Sequence, residues 1–116
     1  MDVEIIRRLC LSFPHVTEHI QWTDDLLFRI GGKIFVSVSL KQGAEGRFYF
    51  KCTPEEFSEL IERDGIVPAP YSARYHWVGI ERDEALTVAE FRRFIRNSYD
   101  LVCAKLPVKA RKQFGL

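Results

Sequence analysis

Residues 68–80 read P-A-P-Y-S-A-R-Y-H-W-V-G-I and combine two prolines with three aromatic rings, an arginine and a histidine. A proline ring crowds the helical conformation of the residue before it, so Val67 and Ala69 favour an extended path. The first half of the stretch is therefore predicted to be a stiff loop that leads into a regular element.

The second half of this stretch, residues 75–80, alternates in the manner of a β-strand. Val78 and Ile80 are the apolar side chains that a core would bury. Because side chains alternate across a strand, Tyr75 and Trp77 are predicted to lie on the opposite face of the sheet. An indole on an open sheet face implies either a covering segment or a bound ligand.

Three more strands are predicted upstream, at residues 26–30, 33–40 and 47–52. Gly31-Gly32, between the first two, is a two-residue hairpin signal. Strict alternation divides each strand into a core side and an open side. With residues 75–80, the set predicted on the open side is Lys33, Phe35, Arg47, Tyr49, Lys51, Tyr75 and Trp77.

Three helices complete the predicted order. Asp2 caps the first helix, and residues 15–25 are interpreted as a polar connection after it. Two capping boxes, T-P-E-E at residues 53–56 and T-V-A-E at residues 87–90, start the other two helices, the last spanning about residues 88–106. The sequence therefore predicts an α+β fold in which helices pack on one face of an antiparallel sheet.

The composition fits a single soluble domain over residues 1–116. Of these residues 47% are hydrophobic and 28% charged, and the three cysteines are widely separated, so we interpret them as reduced thiols. No apolar run reaches the roughly 20 residues of a membrane helix, and the N-terminus is too charged for a signal peptide. We therefore expect a cytoplasmic protein without membrane association, either a monomer or a weak homodimer.

The net charge of +1 hides an uneven distribution, because seven basic and two acidic residues follow residue 88. Phosphates are one partner for such a basic end, and a solvated helix face with a basic tail is an equally good explanation. The open-face set likewise has two interpretations. Cations interleaved with rings are typical of single-stranded nucleic-acid platforms, and they also occur where rings pack under a loop and the cations only hydrate the face.

Residues 15–19 read H-V-T-E-H and match the inverted zinc-protease motif H-x-x-E-H. They lie in a short connection after a proline, with no helix to align both imidazoles and no further ligand in sight. We interpret the match as a coincidence, and we expect no metal, no cofactor and no catalytic residue.

Two other groups of polar residues have both a structural and a functional interpretation. His76 is a candidate general base, but no serine or cysteine nucleophile is near it in sequence, so a structural strand histidine is favoured. Ser98-Tyr99 either anchors a ligand or hydrogen-bonds a backbone carbonyl or a neighbouring strand, and the second role is the commoner one.

Four landmarks follow one another along the chain: Gly31-Gly32-Lys33-x-Phe35, Phe50-Lys51-Cys52, Pro68-x-x-Tyr71 before His76-Trp77-Val78, and Ser98-Tyr99-x-Leu101-Val102-x-x-Lys105-Leu106-Pro107. In order and spacing they resemble the MmcQ/YjbR family, over nearly the whole chain. The resemblance implies a CyaY-like (frataxin-like) α+β fold, called a double wing, and a DNA-binding protein. The acidic first helix of frataxins is missing, which disfavours an iron-donor role.

The family pattern is matched at Lys33, Lys51, His76, Trp77, Ser98 and Tyr99. Arg74 stands where the family usually has lysine, and Ala73 replaces a common asparagine. The leading expectation is a non-enzymatic cytoplasmic DNA-binding module. Its candidate nucleic-acid-binding residues are Lys33, Arg47, Lys51 and Arg74 for phosphates, with Tyr49 and Trp77 for stacking. The alternatives are a small-molecule or protein-interaction domain that uses residues 71–77, and an enzyme that uses His76.

Overall fold

The computed structural model describes residues 1–116 as a six-stranded sheet with four α-helices. In chain order the elements are α1 Val3–Leu11, β1 Thr17–Gln21, β2 Asp25–Ile30, β3 Lys33–Ser39, β4 Phe48–Lys51, α2 Pro54–Leu60, β5 Ile66–Pro68, β6 Trp77–Ile80, α3 Val88–Ala104 and α4 Val108–Phe114. The strands lie in the order β1-β2-β3-β4-β6-β5, and every neighbouring pair is antiparallel. The predicted α+β class with an antiparallel sheet is confirmed. None of the helices has the length and apolar character needed to traverse a lipid bilayer.

The local signals for helix starts and for the first hairpin are confirmed. The Asp2 carboxylate accepts a hydrogen bond from the backbone N–H of Glu4 at 2.7 Å, and both predicted capping boxes are complete, with reciprocal bonds before α2 and α3. Gly31 and Gly32 have φ angles of 58° and 82°. Glycine adopts such angles without strain, which allows a two-residue turn between β2 and β3.

The core lies between the sheet and the helices, with α3 packed across β2, β3 and β4. The register places four buried side chains in one row across the sheet: Phe28, Val36, Phe50 and Val78. Phe50 stacks on Phe94 of α3 with ring centroids 5.7 Å apart, and Phe48 meets Phe91 edge to face at 5.6 Å. These aromatic contacts fix α3 on one face of the sheet, and the other face is left without a helix.

The interpretation of residues 15–25 as a connection is wrong, because Thr17–Gln21 forms the edge strand β1 and pairs with β2. This strand has four polar residues and an exposed Ile20, so it shows no apolar alternation that would reveal it. The other edge strand, β5, is only three residues long and was predicted simply as extended chain. Strand β6 begins at Trp77 rather than residue 75, because a short 3₁₀ turn precedes it and His76 has a φ of 66°.

The prediction that Phe35 lies on the open face is also wrong. Val36 pairs with Phe28, whereas Ile34 pairs with Arg29, so Phe35 is an extra residue without a partner in β2. Such a β-bulge breaks the two-residue alternation of the strand. The Phe35 ring is 0% exposed and lies in the core beside Tyr99, while Ile34 takes its place on the other face.

Two ion pairs of Arg63, which follows α2, connect that helix to the start of α3, and they make stability depend on pH. Arg63 binds Glu90 at 2.8 Å and Glu59 at 2.7 Å. Hydrogen bonds from the Arg63 side chain and from the backbone of Thr87 lower the pKa of Glu90 from 4.5 to about 2.

We expect Glu90→Gln to lower the free energy of unfolding near pH 6 by up to about 1 kcal/mol, the scale of partly exposed ion pairs. Glutamine still completes a capping box, so the variant mainly removes the charge. A carboxylate whose pKa is lower in the folded protein than in the unfolded one stabilises the fold at any pH above its unfolded-state pKa. This contribution is lost as the pH falls from the unfolded-state pKa to the folded-state pKa. The difference between the two proteins is therefore expected to shrink between about pH 4.5 and 2, as measured by urea unfolding. A pH-independent difference would contradict this assignment.

Candidate nucleic-acid interface

The sheet face turned away from the helices is called the open face, and one row of aligned residues crosses it. The register aligns Leu27, Ser37, Tyr49, Gly79 and Val67 across five strands. In the adjacent row Lys51 of β4 lies opposite Trp77 of β6. Tyr49 and Trp77 are half-buried, whereas Val78 and Ile80 are in the core. The predicted orientation of Trp77, opposite to that of Val78 and Ile80, is confirmed.

A cavity of about 530 Å³ on the open face is called the aromatic pocket. Four large rings line it: Trp22, Tyr49, Tyr71 and Trp77. Leu27 also lines it and is only 2% exposed, so apolar side chains are packed on this face as well as in the core. Asp25, Ser37 and Ser72 add polar groups. Apolar walls with a few polar groups are typical of pockets that bind small molecules.

Gly79 allows the Tyr49 ring to lie across the sheet. A β-carbon at Gly79 would come within 2.6 Å and 2.8 Å of two Tyr49 ring carbons, closer than real contacts allow. The absence of a side chain on β6 therefore leaves room for the ring of Tyr49 from β4. This close approach holds one wall of the aromatic pocket in place.

Two of the four rings are presented from strained loops. Trp22, between β1 and β2, has a φ of 54°, and Tyr71, after β5, has a φ of 67°. Aromatic residues rarely adopt this left-handed conformation, because it is strained for residues with a β-carbon. Trp22 is nevertheless 68% exposed and Tyr71 fully exposed. Strained backbone that holds exposed rings around one cavity is typical of binding sites.

A second cavity of about 490 Å³, called the lysine cleft, adjoins the aromatic pocket. It is lined by Lys33, Lys51 and Lys105 together with Ile34, Tyr75, Trp77 and Val102. No carboxylate is among its lining residues, and none of the three lysines forms an ion pair within the chain. Ile34 and Trp77 line both cavities, so the two adjoin, and the lysine cleft extends from the open face to the C-terminal end of α3 at Val102 and Lys105. Three uncompensated cations around one cleft favour an anionic ligand.

Lys51 is held in position from both sides of the sheet. Its Nζ donates a hydrogen bond to the carbonyl oxygen of Tyr75 at 2.6 Å, and its backbone N–H donates to the Ser98 hydroxyl of α3 at 2.9 Å. Partial burial, and secondly repulsion from Lys105, lower the pKa of Lys51. An anion in the lysine cleft would relieve this repulsion and favour the charged form of Lys51.

The sequence matches the model of one protein family. The family model described as YjbR matches residues 11–101, well over half of the sequence. The chain belongs to the YjbR family. The resemblance inferred from the four landmarks is thereby confirmed, although residues 102–107 of the last landmark lie outside the matched range.

Solved structures support the YjbR assignment at the level of the fold. Deinococcus radiodurans protein DR2400, described by its DUF419 domain, is 27% identical and superposes with a TM-score of 0.88, covering 99% of this chain and 88% of that one. A protein from Pseudomonas syringae is 21% identical with a TM-score of 0.70, covering 87% of this chain and 98% of its own. The second likeness concerns the fold alone. No curated protein matches the chain.

The YjbR fold places four of the six candidate residues in the linings of the two cavities and leaves the other two outside them. Lys33 and Lys51 line the lysine cleft, Tyr49 lines the aromatic pocket, and Trp77 lines both. Arg47 precedes β4, whereas Lys51 ends it, and the rise of a strand puts roughly 13 Å between these positions. The Arg47 guanidinium lies 3.9 Å from the Glu81 carboxylate. Arg74 is exposed and lies over the ring of Tyr75 at 4.8 Å.

The residues that line the two cavities without being among the six predicted DNA contacts include Lys105, Trp22 and Tyr71. Of these, Tyr71 belonged to the alternative small-molecule site at residues 71–77. Lys105 belongs to the fourth landmark, so a signal for it was present in the sequence. Trp22 and Tyr71 come from loops, where no periodicity indicates the direction of a side chain. Their positions around the aromatic pocket result from tertiary structure alone.

The three side chains of the H-V-T-E-H segment that could ligate a metal, His15, Glu18 and His19, have separate partners. The His15 ring lies 4.9 Å from that of Phe114, Glu18 binds Arg7 at 2.8 Å, and His19 approaches Arg29 at 2.6 Å. No group of three or more histidine, cysteine, aspartate or glutamate side chains is arranged to hold a metal ion.

His76 has a cysteine neighbour that its position in the sequence does not indicate. The Cys52 thiol donates a hydrogen bond to the carbonyl oxygen of His76 at 3.3 Å. Burial raises the pKa of Cys52 to about 12, so the thiol stays protonated and is a poor nucleophile near neutral pH. The His76 ring itself packs edge to face on Phe57.

Ser98 and Tyr99 make the structural contacts that the sequence analysis favoured. The buried Ser98 hydroxyl donates to the carbonyl oxygen of Phe35 at 2.7 Å and accepts from the N–H of Lys51. The Tyr99 hydroxyl donates to the carbonyl oxygen of Pro14 at 2.8 Å. Ser98 thus fastens α3 to the bulge of β3 and to β4.

Proposed function

We propose that this YjbR-family protein is a non-enzymatic cytoplasmic module that binds DNA through its open face. The observation that carries the proposal is the lysine cleft, in which Lys33, Lys51 and Lys105 surround a cavity without a carboxylate or an ion-pair partner. Phosphate groups are the abundant anions that such a cluster attracts. Trp77, which also lines the cleft, adds a ring on which a base can stack.

Binding of this kind depends on salt in a way that can be calculated. Each neutralised phosphate releases condensed counterions, with a slope of log K against log salt of about −0.7 to −0.9 per contact. Three lysine contacts therefore predict a slope of about −2 to −3. The net charge of +1 supplies little additional general attraction.

The test compares two triple variants that lose the same charge. Replacing Lys33, Lys51 and Lys105 with glutamine is expected to weaken DNA binding about tenfold or more at low salt and to flatten the salt slope. The control replaces the exposed Lys41, Lys109 and Lys112 with glutamine and is expected to keep both affinity and slope close to those of the unmodified protein.

Fluorescence anisotropy with labelled single-stranded and double-stranded DNA gives both quantities. Absence of binding to either form at low salt would overturn the proposal. An equal loss of DNA affinity in the two triple variants would show that the lysine cleft is not the binding site. Binding would then depend on overall charge or on the basic C-terminal residues.

A small-molecule or protein-interaction role is the second candidate, and the apolar lining of the aromatic pocket favours it. A neutral ligand in this pocket would bind with little dependence on salt and would protect the Trp77 ring. Salt-insensitive binding that survives the triple substitution of the cleft lysines would support this candidate over the DNA-binding one.

A further inference from the structure

The aromatic pocket and the lysine cleft are adjoining parts of one surface. The Trp77 ring and the Ile34 side chain line both cavities, so a ligand that fills both passes directly over these two residues. One cavity offers mostly rings and the other offers mostly cations. A ligand that matches the pair carries a planar ring next to an anionic group.

The charges give this surface a direction. Asp25 lines the aromatic pocket and no lysine does, whereas three lysines and no carboxylate line the cleft. A phosphate is repelled from Asp25 and attracted to the lysines. The Asp25 carboxylate and the Ser37 hydroxyl are acceptors for the N–H groups on the edge of a base. The ring of the ligand therefore belongs in the aromatic pocket and its anion in the cleft.

We propose, building on the DNA-binding function above, that the open face holds one unpaired nucleotide, with its base in the aromatic pocket and its phosphate in the lysine cleft. A base within a duplex has both faces stacked on neighbours and its edge paired, so it cannot enter a cavity lined by rings. A single strand or a displaced nucleotide presents its base freely. The preferred substrate class is accordingly single-stranded DNA, and binding reads the base as well as the phosphate.

The strained loops support a specific role for the exposed rings. Trp22 and Tyr71 both have positive φ angles and both extend over the aromatic pocket while remaining largely exposed. A stacked base would cover these rings and remove apolar surface from water. Stacking on such rings contributes about 1–3 kcal/mol per base, which corresponds to a roughly fivefold to hundredfold gain in affinity.

The experiment separates base recognition from phosphate attraction. Binding of oligothymidylate is compared with binding of an oligomer of equal length made only of abasic sites, and with a duplex, all at the same low salt. Oligothymidylate is expected to bind at least about fivefold more tightly than the abasic strand, and more tightly than the duplex.

Intrinsic fluorescence gives a second readout, because the chain has two tryptophans and both line the aromatic pocket. Oligothymidylate is expected to quench this fluorescence, and the abasic strand is expected to leave it nearly unchanged. These measurements need no variant and do not depend on the folding of a mutant.

Each outcome distinguishes the inference from the DNA-binding proposal. Equal affinity for oligothymidylate and the abasic strand, or tighter binding of the duplex, overturns the nucleotide site and leaves phosphate binding in place. Failure of all three to bind overturns both.

Two variants test whether the base binds in the aromatic pocket. Trp77→Leu removes one of the four rings of the aromatic pocket and is expected to reduce the affinity advantage of oligothymidylate over the abasic strand about fivefold or more. Phe114→Leu changes a half-buried ring in α4 that lines neither cavity, and it is expected to change neither affinity. A Trp77→Leu protein that discriminates between the two strands as strongly as the unmodified protein would contradict the placement of the base.

Discussion

Replacing Phe35 with alanine is expected to lower the free energy of unfolding by about 3–5 kcal/mol, the range for a buried phenylalanine. The ring is 0% exposed and meets Tyr99 edge to face at 5.4 Å and Phe13 at 6.2 Å. Its removal leaves a cavity between β3, α3 and the segment that follows α1. Denaturant unfolding monitored by circular dichroism measures the change.

The neighbouring residue supplies the control for this prediction. Ile34 is half-buried on the open face, so Ile34→Ala removes fewer packed atoms and is expected to cost clearly less stability. Plain alternation along β3 predicts the reverse order of the two effects. A larger loss for Ile34→Ala than for Phe35→Ala would therefore disprove the β-bulge.

Replacing Ser98 with alanine is expected to cost about 2–4 kcal/mol, because it leaves two backbone groups in the sheet without their partner. The hydroxyl is 0% exposed and bonds both the Phe35 carbonyl oxygen and the Lys51 N–H. Each buried polar group left unsatisfied costs about 1–3 kcal/mol. Urea unfolding of the variant tests the value directly.

Ser58→Ala in α2 is the matched control, since Ser58 is an exposed helical serine. It is expected to change stability by less than about 0.5 kcal/mol. A similarly small effect at Ser98 would mean that the two backbone groups find other partners, and that the hydroxyl is not what joins α3 to the sheet.

Much of the fold was predictable because its signals are local. The capping boxes at Thr53 and Thr87 and the glycine pair at residues 31–32 each depend on a few neighbouring residues, and each forms as predicted. Trp77 was assigned to the correct face because β6 is short and regular. Phe35 was assigned to the wrong face because the β-bulge depends on how β3 pairs with β2. The sequence of β3 alone does not indicate that pairing.

The candidate site was predictable only in part, for a related reason. Alternation predicts which face a strand residue lies on but not which residues lie close to it, so Lys51 and Arg47 were grouped although Lys51 ends β4 and Arg47 precedes it. Lys105 reaches the lysine cleft from the end of α3, and Trp22 reaches the aromatic pocket from a loop. Contacts between distant segments bring these residues to the site, and no pattern within one segment indicates them.

The two outer strands have a consequence for self-association. A sheet edge offers unpaired backbone groups that can recruit a strand from another chain. On one side, β5 has three residues and ends at Pro68, which has no N–H to donate. On the other, β1 carries Glu18, bound to Arg7, and polar neighbours rather than a long apolar surface. Both edge strands are thus poor templates for the addition of a strand from another chain. This limits aggregation of a protein in which no helix covers one face of the sheet.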